Sequence, residues 1–257
     1  MRIWIPVVLA AATTGLATAG TERFDWKGSI APGQSIEIKG VNGAIRAEPS
    51  TGAEVEVIAN KSGHRNNPAD VRVEVVPHAG GVTICAVYPS SRGQANECKP
   101  GHGGRMNVNH NDVKVEFTVR VLSGVRFVGR TVNGDVEAHS LTAFAEAHTV
   151  NGRIRLSTAG EAQADTVNGS IDASLGPNSG SNDLKFSSVN GTIHVDLPPA
   201  LNAQVHASTV NGSISSDFRL LVHGKMSRRS MDATAGNGGR ELKLSTVNGS
   251  IHLGQAL

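Results

Sequence analysis

Apolar and polar residues alternate in short runs through most of the second half of the chain. In runs such as Arg153 to Leu156 and Thr192 to Val195, every second side chain is apolar and falls on one face, as in a half-buried β-strand. A second extended run precedes each of these, for example Glu241 to Thr246. Helical periodicity with matching caps is missing from the sequence, so the pattern predicts an all-β fold.

The tripeptide Val-Asn-Gly separates these runs. Its copies begin at Val41, Val132, Val150, Val167, Val189, Val210 and Val247. From the second copy onward they are 18, 17, 22, 21 and 37 residues apart, a spacing typical of repeat architectures. Asn and Gly readily adopt positive φ, so each tripeptide predicts a corner between two strands. A lone Asn-Gly indicates a hairpin, but regular repetition predicts coils that stack on one another.

Coils stacked in register would place equivalent residues about 4.8 Å apart. The repeated Asn side chains would then form a hydrogen-bonded ladder, with the preceding Thr or Ser residues in a hydroxyl column beside it. The predicted ladder consists of Asn133, Asn151, Asn168, Asn190, Asn211 and Asn248. Turn chemistry explains these residues as structural. Ligand binding by the Asn row is the alternative.

Residues 1–19 have the features of a secretory signal. Arg2 precedes an apolar run from Ile3 to Ala12, and Ala17 to Ala19 form a small-residue cleavage site. The run is too short to span a bilayer as a helix, and no Cys follows the cleavage site to carry a lipid anchor. We therefore expect an exported protein, periplasmic or extracellular and without a transmembrane segment, with a single β-solenoid domain over residues 20–257.

Residues 20–122 are organised differently from the regular repeats of residues 123–257. Their alternating runs are longer, as in Val71 to Val75 and Val113 to Val119, and polar loops that contain Gly lie between them. Because the bare end of a stack is an unpaired sheet edge, we expect this irregular β region to cap the regular coils.

The two cysteines, Cys85 and Cys98, bracket a short loop. In an exported protein such a pair predicts a disulfide, which stabilises the fold by roughly 3 kcal/mol in the chain-entropy account. The alternatives are a reactive thiol pair and a metal site, since His102 and His110 follow in a Gly-containing loop and Cys98 could join them. Their spacing fits no recognised zinc pattern, so we expect no metal and no cofactor.

Charges of both signs occupy the outward positions that follow each corner. Directly after the repeat Ile or Val, the residues are Glu137, Arg155, Asp172, His194, Ser215 and His252. Alternating signs avoid like-charge repulsion between stacked coils and help to set their register. The alternative is a polysaccharide-cleaving site, which needs clustered carboxylates. Glu137 and Asp172 would lie about 10 Å apart with Arg155 between them, so we predict no catalytic residues.

The stretch from Phe218 to Gly239 interrupts the repeats inside the 37-residue step. The most basic segment of the chain lies here, with Arg219, His223, Lys225, Arg228 and Arg229. A solvated excursion is the simplest interpretation, and contact with an acidic partner, such as an anionic envelope glycan or a lipid headgroup, is the alternative. Few residues follow the last strand. We therefore expect either that the excursion covers an open end or that the C-terminal coil pairs with another copy in a homo-oligomer.

The composition agrees with a slender fold. The chain has 30 Gly, only 4% aromatic residues and 39% hydrophobic residues, so its core must be thin and built from aliphatic side chains. The formal net charge of +2 falls to +1 when Arg2 is removed with residues 1–19. This charge is too small to indicate a nucleic-acid partner.

The repeated Thr-Val-Asn-Gly-x-Ile pattern, with its lead-in from Val115 to Val136, resembles the bacterial putative-adhesin family of exported β-strand-repeat proteins. The resemblance covers nearly the whole chain after residue 19. It implies a right-handed, single-stranded β-helix-like solenoid and supplies no catalytic residues. Such proteins often have Pro before the first regular repeat, where this chain has Leu122 to Gly124.

The predicted function is therefore a non-enzymatic, adhesin-like or interaction scaffold of the cell envelope, which presents its surface to a protein or glycan partner. The alternative is a carbohydrate-active β-helix enzyme, either a polysaccharide lyase or a hydrolase.

Overall fold

The structure is a computed structural model that describes residues 20–90, 93–177, 182–222 and 227–256. The predicted secretory signal at residues 1–19 lies outside the described residues. The described part contains 21 β-strands, one 3-10 turn at Pro68–Asp70 and no α-helix. None of its helical segments is long and apolar enough to cross a membrane.

The first eleven strands are β1 (Thr21–Gly28), β2 (Ser35–Lys39), β3 (Ile45–Pro49), β4 (Val55–Ser62), β5 (Arg72–His78), β6 (Gly81–Val87), β7 (Lys114–Val121), β8 (Arg126–Arg130), β9 (Val136–Leu141), β10 (Ala145–Asn151) and β11 (Ile154–Thr158). The remaining ten are β12 (Ala162–Asn168), β13 (Ile171–Leu175), β14 (Leu184–Asn190), β15 (Ile193–Leu197), β16 (Ala203–Asn211), β17 (Ile214–Ser216), β18 (Leu221–Val222), β19 (Ser230–Ala235), β20 (Arg240–Asn248) and β21 (Ile251–Gln255). They are short, as expected for coils that turn at every corner.

These strands form two large sheets with one apolar core between them. The front sheet has the order β1-β4-β7-β3-β9-β11-β13-β15-β21-β17, and the back sheet has the order β18-β19-β16-β20-β14-β12-β10-β8-β2-β6-β5. Each regular coil supplies one strand to the back sheet, turns at its Val-Asn-Gly corner and supplies the next strand to the front sheet. The predicted all-β, solenoid-like stack is confirmed.

Equivalent residues of successive coils lie beside one another. In the front sheet Ile154 is in register with Ile171, Ile171 with Ile193, and Ile193 with Ile251. All four side chains are fully buried, while the residues that follow them in each strand face outward. The alternation seen in the sequence therefore supplies one face of the core from every coil.

The spatial order of the coils differs from their order in the chain. Strand β20 lies between β14 and β16, and β21 lies between β15 and β17, so the last coil is inserted between the two that precede it. The long step before it allows this, because β19 first pairs antiparallel with the outer edge of β16 and brings the chain back. The expectation of an exposed C-terminal coil is therefore wrong, and this coil offers no free edge for a homo-oligomer.

Residues 20–122 form one end of the stack. Strands β2 and β3 flank the first Val-Asn-Gly copy and pair with β8 and β9, so they make a coil like the others. Beyond them β6 and β5 extend the back sheet, and β7, β4 and β1 extend the front sheet. The outer strands are suited to an edge: β1 is rich in charged side chains, and β5 contains Pro77.

The corner glycines serve a purpose different from the one that the sequence suggested. Among the described residues only His110 and Ser140 are non-glycine residues with positive φ, so the corner asparagines are not left-handed. Only one corner glycine, Gly43, has a positive φ, of 126°. A Cβ atom on Gly169 would lie 1.8 Å from the carbonyl oxygen of Gly152 in the neighbouring coil. The explanation by positive φ is wrong, and close approach of stacked corners is the reason for Gly.

Candidate functional site

The asparagines of the Val-Asn-Gly corners form one continuous row along an edge of the stack. Each side-chain amide donates to the Oδ1 atom of its neighbour, over 2.9 Å from Asn133 to Asn42 and from Asn151 to Asn133. The bonds from Asn168 to Asn151, Asn190 to Asn168, Asn248 to Asn190 and Asn211 to Asn248 are 2.8 Å long. We call each corner a rung. The row therefore has seven rungs, one more than the sequence analysis assigned.

The additional member, Asn42, belongs to the first Val-Asn-Gly copy. Its distance of 91 residues from the second copy separated it from the regular repeats. The signal that could have found it is the tripeptide itself. A buried hydroxyl column lies beneath the row, as at Thr149, whose Oγ1 donates to the carbonyl of Gly134 over 2.8 Å.

A row of valines lies beside the asparagines and is open to solvent. Val132, Val150, Val167, Val189 and Val247 are 38 to 40% exposed, and Val210 is 56% exposed. Single exposed apolar residues are ordinary, but a contiguous row of them is not. These six valines and the seven asparagines of the row are here called the corner ridge.

Replacing Asn168 with Ala should destabilise the protein by about 1–2 kcal/mol, because it removes two ladder bonds whose partners can then bind water. Replacing Asn211, which ends the row, removes one bond and should cost about half as much. Urea unfolding of the two variants measures the difference. Equal losses at both positions would show that the ladder bonds do not stabilise the stack.

Hydroxyl side chains flank the later rungs of the ridge on both sides. Charged residues such as Asp135 and Arg153 occur at the earlier rungs only. The flanking residues are Ser187, Ser245 and Ser208 on the back sheet, which are in register with one another, and Ser170, Thr192, Ser250 and Ser213 after the corners. The later half of the ridge is thus a neutral surface of methyl, amide and hydroxyl groups.

At its other end the ridge runs into a cleft of about 710 Å³. We call it the end cleft. One wall comes from the first two rungs and the others come from the loops after β4 and before β7. The lining residues are Gly40, Val41, Asn42, Val132 and Asn133 of the rungs, Arg65 and Asn66 of the first loop, and Met106, Asn107, Val108, His110, Asn111 and Asp112 of the second.

The loop before β7 is held in place by buried groups. Asn96 is 6% exposed, and its amide donates to the carbonyls of Tyr88 and Asn107, both over 2.9 Å. The Tyr88 hydroxyl in turn donates to the carbonyl of Val113 over 2.9 Å, and burial raises the pKa of Tyr88 to about 12. A disulfide joins Cys85 of β6 to Cys98 of the loop. The cleft wall is therefore anchored to the core.

A carboxylate joins the two loops that form the outer walls. Asp112 accepts hydrogen bonds from the backbone N–H groups of Asn66, Arg65 and His64 at 3.0, 2.9 and 3.3 Å. These bonds, the one from Asn66 first, hold the pKa of Asp112 below its usual value. The Asp112 carboxylate in the cleft lining therefore already accepts hydrogen bonds from the backbone of the neighbouring loop.

Comparison with known families finds a match to the part of the chain that contains most of the corner ridge. Residues 128–254 match the family model described as Toastrack DUF4097. These residues are similar to that family, and they make up just under half of the 257-residue chain. The match confirms the resemblance to a putative-adhesin family of unknown function. Six of the seven rungs lie in the Toastrack domain, and the end cleft lies where this domain meets the N-terminal region.

Two solved structures are similar to this chain at low sequence identity. A putative cell adhesion protein from Clostridium sporogenes ATCC 15579 is 12% identical, with a TM-score of 0.49 over 91% of this chain and 100% of that chain. A putative adhesin from Bacteroides fragilis NCTC 9343 is 14% identical, with a TM-score of 0.42 over 90% of this chain and 97% of that chain. No curated protein matches the chain.

The carboxylates considered for catalysis lie on the outer face of the Toastrack front sheet. Glu137 is paired with the guanidinium groups of Arg46 and Arg155, at 3.1 and 2.7 Å. Burial opposes ionisation of Glu137, but these two hydrogen bonds prevail and lower its pKa. Asp172 lies one rung beyond Arg155. A carboxylate held ionised between two arginines is a poor general acid, so this column is better explained as structural pairing.

A second polar series on the same face was not foreseen from the sequence. The Ser215 hydroxyl is 2.9 Å from Nδ1 of His252, and Nε2 of His252 is 3.3 Å from a carboxylate oxygen of Asp217. The Asp217 side chain is 78% exposed. Water screens such a pair strongly, so the series gives Ser215 little activation as a nucleophile.

The alternative of a metal site at Cys98, His102 and His110 is wrong, because the Cys98 sulfur is bonded to Cys85. His102 and His110 are both exposed, and only His110 lines the end cleft. Among the described residues, no group of three or more His, Cys, Asp or Glu side chains could hold a metal ion.

The basic stretch covers the far end of the Toastrack stack with its backbone. The carbonyls of Arg229 and Arg228 accept from the N–H groups of Thr209 and Ile214, both over 2.9 Å, next to the last rung. The side chains of Arg219, Arg228 and Arg229 are exposed, whereas His223 and Lys225 lie outside the described residues. Contact of this stretch with an acidic partner stays a prediction.

Proposed function

We propose that this protein is an exported, non-enzymatic interaction scaffold of the cell envelope, adhesin-like in kind, which binds a protein or glycan partner through the corner ridge. The observation that carries the proposal is the row of six exposed valines beside the asparagine ladder. A binding surface of this kind combines an apolar stripe with regularly placed polar groups. The disulfide supports export, because disulfides persist in oxidising compartments.

The ladder prepares the ridge for binding. Each Asn amide has two N–H donors and an oxygen with two lone pairs, and the ladder uses one donor and one lone pair of an interior rung. The remaining groups stay available to a partner, in orientations that the ladder has already fixed. A surface that is rigid before binding loses little conformational entropy when the partner arrives.

We also infer that the coil is right-handed, since parallel strands joined within one sheet are almost always connected in that sense. Residues 20–122 then act as the cap of a single domain over residues 20–257. Support comes from the shared apolar core, which runs from Ile30 in the N-terminal region to Leu253 in the last coil.

The proposal is tested by placing charge in the middle of the ridge. In a co-sedimentation assay, at least tenfold less of the double variant Val167→Asp and Val189→Asp than of the wild type should sediment with isolated envelope fragments. Binding would bury both carboxylates, which is unfavourable. His139→Asp, at an exposed position on the front sheet away from the ridge, is the matched control. Equal retention of the double variant and the control would show that the ridge is not the binding surface.

A further inference from the structure

We propose that the end cleft is a binding site for an acidic sugar that carries an N-acyl group, free or at the end of a glycan. The inference deepens the proposed function, because it assigns a ligand class to one end of the same surface. It also stands on features that the ridge does not share, namely a concave shape and the guanidinium group of Arg65.

The size and position of the cleft suit a small ligand. Its volume of about 710 Å³ lies within the roughly 300–1,000 Å³ of typical ligand pockets. Its walls come from three separate parts of the chain, which the Asp112 bonds and the Asn96 bonds hold together. The cleft is therefore formed before any ligand enters.

The guanidinium group of Arg65 gives the cleft a partner for an anion. Arg65 and His110 are exposed side chains of its lining, and Asp112 is its one acidic residue. Because three backbone N–H groups already stabilise the Asp112 carboxylate, its repulsion of a second anion is reduced. A guanidinium group binds a carboxylate through two parallel hydrogen bonds, which makes Arg65 the principal anchor.

The remaining polar groups favour a ligand with amide and hydroxyl groups. The Asn133 amide donates one hydrogen to Asn42 over 2.9 Å, and the Asn42 amide donates one to the carbonyl of Asn111 over 3.3 Å. Each amide has a second N–H group. These groups line the cleft beside Arg65 and can bind an acyl carbonyl or a sugar hydroxyl.

An apolar wall gives the acyl group its place. Val41 and Val132 of the rungs meet Met106 and Val108 of the loop in the lining of the cleft. Val41 is half-buried whereas Val132 is 38% exposed, so part of this wall is open to a ligand. A methyl group placed against this wall loses contact with water and gains apolar contact. A sugar acid without an acyl group would leave the wall uncovered.

A peptide carboxylate fits the cleft less well than a sugar. Peptides commonly bind by adding a strand to an open backbone edge. At the rungs the backbone is already paired, because the Asn42 carbonyl accepts from Val115 N–H over 2.7 Å and the Val41 carbonyl accepts from Asn133 N–H over 2.7 Å. Along this wall, recognition therefore falls to side chains, as in a site that binds hydroxyl, amide and carboxylate groups.

The backbone of His110 supports a functional origin of the cleft. Its φ is 50°, one of two positive values at non-glycine residues in the described part of the chain. This conformation is unfavourable for a residue with a Cβ atom, and such residues concentrate at binding and active sites. Here it places a His, rather than the Gly that would be unstrained, in the lining of the end cleft.

The experiment titrates the oxidised chain of residues 20–257 with N-acetylneuraminic acid, followed by calorimetry and by ligand-observed NMR. We expect saturable binding with a Kd of about 1 mM or tighter. N-acetylglucosamine lacks the carboxylate and glucuronic acid lacks the acyl group. The affinity of each should be lower by about tenfold or more. Equal binding of the three sugars, or no saturable binding of the acidic N-acetyl sugar, would overturn the inference.

Variants locate the site. Arg65→Gln should weaken binding about tenfold, since it removes a charge-assisted bidentate contact. His110→Gly should also weaken it, while keeping the positive φ that the loop needs. Arg72→Gln is the control, because Arg72 is an exposed arginine on β5 that pairs with Glu74 outside the cleft. Loss of binding in the control but not in Arg65→Gln would place the sugar elsewhere and overturn the assignment.

Two further measurements complete the test. The first separates this inference from the proposed function, and the second distinguishes a glycan from the free sugar as the source of the ligand. The ridge variant Val167→Asp and Val189→Asp should bind the sugar normally, since neither residue lines the cleft. If the sugar fails to bind while envelope retention still depends on the ridge, only the inference fails. A trisaccharide that ends in the same acidic sugar should bind more tightly than the free sugar if glycans are the source, and equally if the free sugar is.

Discussion

Replacing Gly169 with Ala should destabilise the protein by about 3 kcal/mol or more. The added Cβ would lie 1.8 Å from the carbonyl oxygen and 2.6 Å from the carbonyl carbon of Gly152. Both are backbone atoms, so no rotamer change can relieve the contact. The two rungs would have to separate, which would weaken the ladder bond between Asn168 and Asn151 and the strand pairing on either side. Urea unfolding followed by circular dichroism measures the effect.

A matched control is Gly52→Ala. Gly52 has no unfavourable φ, and a Cβ there would only come within 3.7 Å of the Ser50 hydroxyl. Its stability should change by less than about 0.5 kcal/mol. If Gly169→Ala were as stable as this control, the corners would not be packed as closely as described, and the geometric reason for Gly in the repeat would fail.

Close packing of the rungs also explains why one tripeptide encodes both structure and surface. The Gly lets neighbouring corners approach, and this approach brings the Asn side chains within hydrogen-bond distance at 2.8 Å. The Val between the buried Thr and the exposed Asn then falls on the outside of every corner, as at Val167. The exposed row is thus a consequence of repetition, and any partner of the ridge meets the same pattern at each rung.

The register of the stack was predictable, because each Val-Asn-Gly tripeptide aligns with the same tripeptide of the neighbouring coil. The order of the coils was not. The rungs of Asn211 and Asn248 carry the same motif, so either could follow Asn190 as far as the corner is concerned. The outcome depends on β19, which occupies the outer edge of β16 and leaves the inner edge to β20. That choice rests on contacts between segments far apart in the chain, which no local pattern records.

The end cleft could not be predicted for a related reason. Its walls come together through long-range contacts: Asp112 reaches the loop at Arg65, and Asn42 reaches Asn111. In the sequence these residues look like ordinary polar loop positions. The sequence presents His110 as a candidate metal ligand, whereas the structure places it in the wall of an amide-lined cleft. Sequence patterns report local geometry well, and sites assembled from several loops poorly.

Removing the disulfide should destabilise the protein by about 3 kcal/mol and loosen the outer wall of the cleft. Cys85 and Cys98 are 13 residues apart, and both are buried, at 1% and 7% exposure. The double variant Cys85→Ala and Cys98→Ala frees the unfolded chain of this cross-link, so its entropy rises and folding becomes less favourable. In the folded state the loop would keep the bonds of Asn96 but lose its covalent attachment to β6.

Two measurements separate these effects. Urea unfolding reports the global loss. Wild-type protein reduced with dithiothreitol should show most of the loss of the double variant, since both lack the cross-link and only the variant also lacks the two buried sulfur atoms. Hydrogen exchange reports the local effect: the N–H groups of Arg105 and Asn107, which bond to Glu97 and Asn96, should exchange faster while those of the rungs stay protected. If exchange rose equally in the loop and the rungs, the loop would not be an independent unit. The loop that forms the outer wall of the cleft would then come loose only when the whole stack unfolds.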